Sequence, residues 1–506
     1  MKNSSNQLLI LIQSLSKSEK VYFKKQNASK TPVTKKYLAI FDYVAKTNTY
    51  DEAVLKRKFK IKNLSKVKQY LFEHLRKSLR NYHSEKNARI QLNNYLTDIH
   101  IIFKRGLFDY CEELIRRAEK LARVHNHHLA IIQLNEYKHY ILGSQPQKYA
   151  HLFTTFKEQL KEFDFISSNY RNTLQYSMYK DIFFMNVRLN KELILNEDME
   201  FIIPKEAPRT IQGQLFNGEV ILAKAVTERN HKKMKMASMK LVDLYEQEPL
   251  FCKEYPSRYI VVLINQINCF ANIDSVPFEE LDAMLEKVKR ILNNCNLEKV
   301  SKLEKEAVLG SHLFCIYFKK HRYAEAEALH EIYLTWLKHN VQNIPPVQGV
   351  IFYYRLFTGA VYANRYGDAL NLSNLIQDSE EAKMRLDVKV YTRLLILLIY
   401  FVEDDLLLLE SCTHSTYQFI RNNKLKSVFV NLLIGFFKSK VICANFTQSK
   451  VKKGLLNALR VEIVTLFEQQ PKEKMALNYF QIIRWIDSQL EGKTMEEVTE
   501  KTVVID

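Results

Sequence analysis

Three stretches of this chain repeat one pattern of apolar and small residues at helical spacing. They begin at the aromatic residues Phe108, Tyr323 and Tyr366. Counting from each aromatic residue, a small residue stands at offset 3, a leucine at offset 6 and another residue of the pattern at offset 10. These offsets lie on one face of an α-helix. The aligned positions are Cys111, Leu114 and Ala118, then Ala326, Leu329 and Tyr333, and finally Ala369, Leu372 and Ile376.

The residues before the aromatic position predict a turn between two helices. "FKRGLF" and "FKKHRY" precede the first two copies, and both are typical of a helix end followed by a turn. A fourth copy begins at Phe278, so that three successive copies are 45 and 43 residues apart. A weaker copy at Leu406–Leu409 follows 40 residues after Tyr366. The pattern therefore predicts helix pairs with a period of about 40–45 residues.

The region between Ala118 and Phe278 does not hold this register. "KYAHLFTTFKEQL" and "HKKMKMASMKLVDLY" nevertheless resemble second helices of pairs. Composition supports helices throughout, because the chain has only 11 Gly and 10 Pro in 506 residues. Tight turns between strands need such residues. We therefore predict an all-α fold.

The order of an aromatic, a small residue and a leucine resembles the second helix of a tetratricopeptide repeat. In that family a small residue lies where two helices cross closely, and an aromatic side chain fills the gap to the next unit. The resemblance implies an alpha-solenoid of antiparallel helix pairs, in which each pair covers the apolar face of its neighbour. This sequence departs from the family in its longer period and in the lack of glycine in most turns, Gly106 being the exception. Longer alpha-solenoid types remain an alternative.

Positive charge is concentrated at the N-terminus. Residues 1–90 hold 21 Lys/Arg against 6 Asp/Glu, whereas residues 91–506 hold 54 against 50. Asymmetry of this kind is typical of contact with an anionic partner. Three predicted helices in residues 35–83, with the short turn "KIKN" before the last, resemble a helix-turn-helix or winged-helix module. In such modules the final helix enters the major groove of DNA.

The resemblance implies a nucleic-acid surface on the last two of these helices. Lysine and arginine would contact phosphates, and Gln69 or an arginine would read base edges. The alternative is a solvated, lysine-rich face on a first helical layer. The candidate nucleic-acid-binding residues are Lys56, Arg57, Lys66, Gln69, Arg76 and Arg80.

The sequence offers no signature of catalysis. It lacks a Walker-type phosphate loop and the G-x-G-x-x-G, G-x-S-x-G and H-E-x-x-H motifs. The cluster His125, His127 and His128, followed by Glu136 and His139, is better explained by a helix C-terminus than by a metal site. We therefore predict no enzyme activity, catalytic residues, cofactor or metal.

Seven scattered cysteines without a C-x-x-C pair predict free thiols in a reducing compartment. The longest apolar run, Leu394–Val402, is far below the about 20 residues of a membrane-spanning helix. We expect a cytoplasmic protein without a membrane segment. The predicted organisation is a basic helical module (1–85), a tetratricopeptide-like repeat array (86–490) and a charged C-terminal tail (491–506) that is mobile.

Two functions follow from these features. The first is a non-catalytic scaffold or adaptor that binds a protein or peptide partner on the concave face of the array, where Asn172, Gln175, Tyr179, Lys180 and Arg355 are candidate lining residues. The second is a nucleic-acid-associated regulator that uses residues 1–90 on DNA or RNA and the array as a sensor or oligomerisation domain. Its layout resembles bacterial regulators that join a helix-turn-helix to tetratricopeptide-like repeats.

Overall fold

The computed structural model is all-helical in the residues that it describes, none of which lies in a β-strand. The predicted all-α class is therefore confirmed for this part of the chain. The end of the predicted C-terminal tail, 499–506, lies outside it. The described residues are 4–27, 32–47, 52–61, 63–85, 87–145, 152–188, 203–228, 230–273, 275–295, 297, 299–378, 385–423, 425, 427–441 and 449–498.

The chain divides into two compact units. Unit 1 comprises Met1–Ala225, Met236–Tyr259 and Asn296–Lys299. Unit 2 comprises Val226–Lys235, Ile260–Cys295 and Val300–Asp506. None of the described helices has both the length and the apolar content needed to cross a bilayer.

The first five helices of unit 1 share one apolar core. They are α1 (Ser4–Ser14), α2 (Lys17–Gln26), α3 (Pro32–Lys46), α4 (Glu52–Lys58) and α5 (Leu64–His83). α2 starts with a capping box, in which the Ser16 hydroxyl accepts the Glu19 N–H and the Glu19 carboxylate accepts the Ser16 N–H. The core includes Leu8, Ile12, Phe23, Phe41, Leu55, Leu71 and Leu75, all buried.

A second core in unit 1 lies among the next four helices. They are α6 (Ala88–Phe103), α7 (Phe108–Val124), α8 (His128–Ser144) and α9 (Leu152–Arg188). Each helix packs against the next one along the chain. Cys111 and Ala118, two positions of the repeated pattern, are completely buried in this core together with Leu92, Ile99 and Leu134.

Four helices follow before the body of unit 2. They are α10 (Ile211–Thr227), α11 (His231–Glu246), α12 (Pro249–Glu254) and α13 (Pro256–Ala271). The predicted second helix "HKKMKMASMKLVDLY" corresponds to α11. The predicted helix "KYAHLFTTFKEQL" corresponds to the start of α9 from Leu152 on, and its residues 148–151 lie outside the described residues. The register was hard to follow here because α9, with 37 residues, is much longer than the helices of the repeated pattern.

Unit 2 continues as a succession of helices, of which those from α15 onward contribute to one apolar core. They are α14 (Phe278–Asn294), α15 (Lys299–Lys319), α16 (Tyr323–Asn340), α17 (Pro346–Tyr362), α18 (Tyr366–Gln377), α19 (Leu386–Val402), α20 (Leu406–Asn422), α21 (Val428–Phe436), α22 (Ser449–Gln469) and α23 (Ile482–Glu491). A π-helical turn, Phe437–Val441, follows α21, and a 3-10 segment, Pro471–Asn478, precedes α23. From α16 to α20 each helix packs against the next.

The sequence pattern locates five helix starts to the residue. Phe108, Phe278, Tyr323, Tyr366 and Leu406 are the first residues of α7, α14, α16, α18 and α20. At offset 3 in three of these helices, Cys111, Ala326 and Ala369 are buried. The small side chains at offset 3 thus face the interior of the protein.

One type of turn recurs before α7, α8, α16, α18 and α20. The residue two positions before the helix start adopts a left-handed conformation, with φ between 55° and 73°. In four of the turns the following backbone N–H donates to the carbonyl five residues earlier, at 2.8–3.0 Å. This is the hydrogen bond of a Schellman motif, which ends one helix and reverses the chain. The left-handed residues are Gly106, Asn126, His321, Asn364 and Asp404.

The first part of the predicted charged tail packs against α23. Met495 and Val498 are buried. Arg484 of α23 donates from Nε to the Met495 carbonyl at 2.6 Å and from Nη2 to the Val498 carbonyl at 2.8 Å. Residues 492–498 are therefore fixed by packing and hydrogen bonds, in contrast to the mobile end that we expected from their charge.

Candidate functional site

α4 and α5 form the first candidate surface, and apolar side chains fix them to the core. Leu55 anchors α4, while Leu71 and Leu75 anchor one face of α5. The turn after α4 contains a left-handed residue, Lys60. α5 begins after Asn63, whose side-chain oxygen accepts the Lys66 N–H at 3.1 Å. The left-handed residue is four positions before the helix start here, instead of two, so this turn differs from those of the repeated pattern.

All six predicted nucleic-acid-binding residues are exposed. Lys56 and Arg57 lie in the last turn of α4. Lys66, Gln69, Arg76 and Arg80 follow one another at helical spacing along α5. At 1.5 Å per residue, the face from Lys66 to Arg80 is about 21 Å long. The geometry of α5 therefore places the four side chains on a single outward face.

We call the exposed residues Lys56, Arg57, Lys66, Gln69, Arg76 and Arg80 the basic face of α4 and α5. Its cations lack acidic partners among the described residues. No carboxylate of a described residue lies within 4.0 Å of Lys56, Arg57, Lys66, Arg76 or Arg80. Neighbouring cations behave differently, since Lys68 pairs with Glu52 and Lys24 pairs with Asp42. The positive charge of the face is therefore not neutralised within this part of the chain.

Gln69 is less available than its exposure suggests. Its side-chain Nε2 donates to Glu73 Oε1 at 3.3 Å, and Glu73 is the acidic residue of the same face. Reading a base edge with Gln69 would require breaking this hydrogen bond. The arrangement is consequently better suited to phosphate contacts, which need only positive charge, than to base recognition.

A groove between α7, α8 and α9 forms the second candidate surface. Its volume is about 360 Å³, which is within the range of about 300–1,000 Å³ typical of ligand sites. The floor is apolar and buried, while the rim is charged or polar. The lining residues are Glu112, Ile115, Arg116, Lys138, Ile141, Leu142, Thr155 and Gln159.

An ionic network beside the groove holds Lys138 in place. Lys138 Nζ lies 2.6 Å from Glu119 Oε2, and Arg123 binds both Glu119 and Glu162. Burial alone would raise the pKa of Glu119, but the hydrogen bonds and charges of Lys138 and Arg123 outweigh it and the pKa is lowered. Glu119 therefore stays ionised near neutral pH and neutralises part of the charge of Lys138.

Arg116 is the rim residue whose charge remains available. Its Nε donates to the Glu112 carbonyl at 3.4 Å, a contact within α7. No described carboxylate lies within 4.0 Å of its guanidinium. Arg117, the next residue, is paired with Glu113 instead. An exposed guanidinium above an apolar floor can hold a carboxylate whose neighbouring side chain is apolar.

Sequence reasoning did not find this groove. Its signal was available as Glu112, Ile115 and Arg116 on one helix and Lys138 and Ile141 on the next. Those residues resemble an ordinary amphipathic surface until the two helices are placed side by side. The sequence alone does not fix that placement.

The candidate lining residues proposed from the sequence are engaged with their own chain. Asn172 is buried, and its side chain accepts the Arg209 N–H at 3.1 Å and donates to the Ala207 carbonyl at 3.2 Å. Arg355 donates to the Asn478 carbonyl at 3.2 Å. Asn172 is therefore not available as a lining residue, because its amide fixes the segment before α10.

The histidine cluster after α7 contacts a carboxylate of α12. Glu254 lies 3.1 Å from His125 Nδ1 and 3.3 Å from His127 Nε2. Burial would raise the pKa of Glu254, but the two histidines outweigh it and lower the pKa. Among the described residues no group of three or more His, Cys, Asp or Glu side chains has the geometry of a metal site.

Comparison with known proteins found no matching family model, no matching curated protein and no matching solved structure. The function is therefore argued from the two surfaces of this chain, the basic face of α4 and α5 and the groove of α7, α8 and α9.

Proposed function

We propose that this chain is a cytoplasmic, non-catalytic scaffold or adaptor that binds a protein or peptide partner. Its helix pairs form an alpha-solenoid similar to tetratricopeptide repeats, with a period of about 40–45 residues. The recurring turn and the buried small residues at offset 3 support this arrangement. The observation that carries the proposal is the groove of α7, α8 and α9, with its apolar floor and the unpaired Arg116 at its rim.

The groove chemistry specifies the partner segment. Ile115, Ile141 and Leu142 are buried apolar residues that would accept an apolar side chain. Arg116 and Lys138 stand on two helices beside this floor, where they would bind a carboxylate. The expected ligand is a peptide that carries an apolar residue next to an acidic residue or to its own C-terminal carboxylate.

Selection from a displayed random peptide library on the full chain would test this proposal. We expect enrichment of apolar residues followed by an acidic residue or a free C-terminus. A selected peptide should then bind Arg116→Glu about tenfold or more weakly, because a charge-assisted hydrogen bond becomes a repulsion. Fluorescence polarisation of the labelled peptide measures this difference.

Arg117→Glu is the matched control, since it makes the same change one residue away. Arg117 is exposed, does not line the groove and is paired with Glu113. The affinity of the Arg117→Glu variant for the peptide should stay close to that of the unchanged protein. Equal weakening by both variants, or no enrichment at all, would refute the groove as the binding site.

We propose nucleic-acid binding by the basic face as a second function. It is favoured by the five exposed cations that have no acidic partner among the described residues. Each phosphate contact releases counterions, so the logarithm of the binding constant falls with the logarithm of salt concentration by about 0.9 per contact. The reversal Lys66→Glu, Arg76→Glu and Arg80→Glu should reduce this slope by up to about 3 and weaken duplex binding strongly.

A charge-matched control separates this face from the general positive charge of the protein. Lys338→Glu, Arg290→Glu and Arg421→Glu make the same change at exposed sites of unit 2. Binding of random duplex DNA and RNA at several salt concentrations would be measured for both triple variants. If the two lose affinity equally, or neither does, the basic face has no specific role.

A further inference from the structure

α9 is apolar on two faces, and only one of them is covered. The covered face includes Ile166, Tyr176 and Phe183, which are buried within the chain. An eighth exposed apolar side chain, Phe165 (66% exposed), lies on the same side as Phe183. Seven large apolar side chains on the other side of the helix are exposed. These are Phe153 (88% exposed), Leu160 (64%), Phe163 (42%), Tyr170 (37%), Leu174 (46%), Met178 (42%) and Met185 (58%). We call these seven residues the α9 stripe.

The stripe is a continuous surface. At about 100° per residue, its members fall within a sector of roughly 100° on the side of α9 opposite the covered face. At 1.5 Å per residue, Phe153 and Met185 are about 48 Å apart along the helix axis. A long sector of this width is what a second helix of similar length covers. It also holds two charged residues, Arg171 at its edge and Asp181, which pairs with Lys180.

The exposed area of the stripe matches a protein interface. Taking about 200 Å² for each large side chain, the exposed fractions correspond to roughly 750 Å². A standard interface buries about 800 Å² on each partner. Monomeric proteins rarely leave so large a contiguous apolar surface in contact with water. The stripe alone is therefore large enough for a stable dimer.

The charges beside the stripe indicate what covers it. Asp164 and Arg171 lie on one edge of the stripe, on either side of its midpoint, and both are exposed. Neither has an ionic partner among the described residues. If a second α9 runs in the opposite direction, Asp164 of each copy faces Arg171 of the other. The α9 helix of a second copy of the chain therefore matches the stripe in length, in apolar surface and in charge.

The ends and the centre of the stripe agree with such pairing. The alignment that brings Asp164 opposite Arg171 is centred between residues 167 and 168. It sets Leu160 beside Leu174 of the other copy, and Phe153 between Met178 and Met185 of the other copy, so that apolar residues meet on both sides of the centre. Ser167, near the midpoint, is small and allows the two helices to approach. We infer that two copies of this chain associate through an antiparallel pair of α9 helices.

Sedimentation equilibrium of the full chain would test this inference. We expect a mass of twice 59.8 kDa at micromolar concentration. Leu160→Glu with Leu174→Glu should give the monomer mass, because the variant buries charges in the interface. Both positions are exposed in one copy, so its helical circular dichroism should not change. A wild-type chain that stays at 59.8 kDa at tens of micromolar would overturn the inference.

Two further sets of variants make the test specific. Ile332→Glu with Val461→Glu changes exposed apolar residues of unit 2 and should leave the dimer intact. Asp164→Arg and Arg171→Asp should each weaken the dimer about tenfold, since symmetry places two such pairs in the interface. The double reversal should restore it. A dimer that survives the α9 substitutions, or charge variants without rescue, would contradict antiparallel α9 pairing.

Discussion

Gly310 of α15 lies where two aromatic side chains of unit 2 leave no room for a methyl group. A Cβ atom at this position would be 2.7 Å from Phe352 Cζ and 2.8 Å from Tyr333 Cε1. Carbon atoms in contact prefer about 3.5–4.0 Å. Phe352 is fully buried and packs against Phe314 and Trp336. The ring therefore has little freedom to move away.

The expected cost of Gly310→Ala follows from two opposing effects. Replacing glycine by alanine inside a helix gains about 1 kcal/mol. Overpacking a filled core costs about 1–3 kcal/mol, and here two rings are affected. We expect the free energy of unfolding of unit 2 to fall by about 1–2 kcal/mol.

Gly454→Ala is the control within the same unit. Gly454 lies in α22, and a Cβ there would meet no atom within 4 Å. The same substitution should therefore raise the stability by about 0.5–1 kcal/mol. The two variants thus differ in sign although their chemistry is identical.

Urea unfolding followed by tryptophan fluorescence would measure both effects. Trp336 and Trp485 are the two tryptophans of the chain, and both belong to unit 2. The midpoint should decrease for Gly310→Ala and increase for Gly454→Ala, with little change in the slope. A midpoint for Gly310→Ala equal to or above that of the unchanged protein would refute the close packing of these rings.

Three further predictions concern unit 2. Burial, followed by the charges of Arg355 and Lys319, lowers the pKa of His312 to about 3. The pKa of this histidine in the unfolded chain is about 6.5, so between pH 3 and pH 6.5 the unfolded chain binds one more proton than the folded chain. The free energy of unfolding therefore falls as the pH drops below about 6.5, by at most about 1.4 kcal/mol per pH unit. Urea midpoints between pH 7 and 4 should depend less on pH in His312→Gln. Asn364→Ala should be about 1 kcal/mol less stable than Asn364→Gly in the same urea assay, because both lose the side-chain hydrogen bonds but only alanine is strained at φ 56°. Ala369→Leu should lower the urea midpoint by an amount equal to about 1–3 kcal/mol, because a larger side chain is forced between α18 and its neighbours.

Helix starts were predictable because the same type of side chain, an aromatic residue, has the same packing role at most of them. An aromatic residue such as Tyr323 or Tyr366 begins a helix and packs against the preceding one, so it recurs at a fixed place in the pattern. Phe318, Tyr323 and Tyr362 illustrate the result, since their rings contact one another across three helices. The spacing between such residues therefore locates the helix starts even in a single sequence.

The turns were harder to predict, because most of them lack the glycine that the resemblance to tetratricopeptide repeats implies. Gly106 is the exception. Asparagine, aspartate and histidine adopt positive φ more readily than other residues with a side chain, and Asn126, His321, Asn364 and Asp404 take the position. The sequence therefore did mark the left-handed positions of these turns, but with three residue types besides glycine.

The uncovered face of α9 illustrates a limit of pattern reasoning. Phe153 and Leu160 are apolar and exposed, whereas Ile166 and Phe183 are apolar and buried. Helical periodicity assigns all four to apolar faces and does not say which face meets the rest of the chain. That choice depends on packing between distant helices, which is also why the sequence did not predict the burial of Asn172.

The α9 pairing and the basic face of α4 and α5 lead to a joint expectation that separates the two proposals. A dimer carries two copies of the basic face, and simultaneous binding of both to one long duplex raises affinity through effective concentration. Leu160→Glu with Leu174→Glu should then bind long duplexes more weakly, yet bind a duplex too short for two copies as well as before. The triple reversal at Lys66, Arg76 and Arg80 should instead abolish binding to both lengths while the dimer mass remains. If the α9 variant is a monomer but binds long DNA with unchanged affinity, the α9 dimer is supported. The two basic faces of the dimer then do not bind one duplex together.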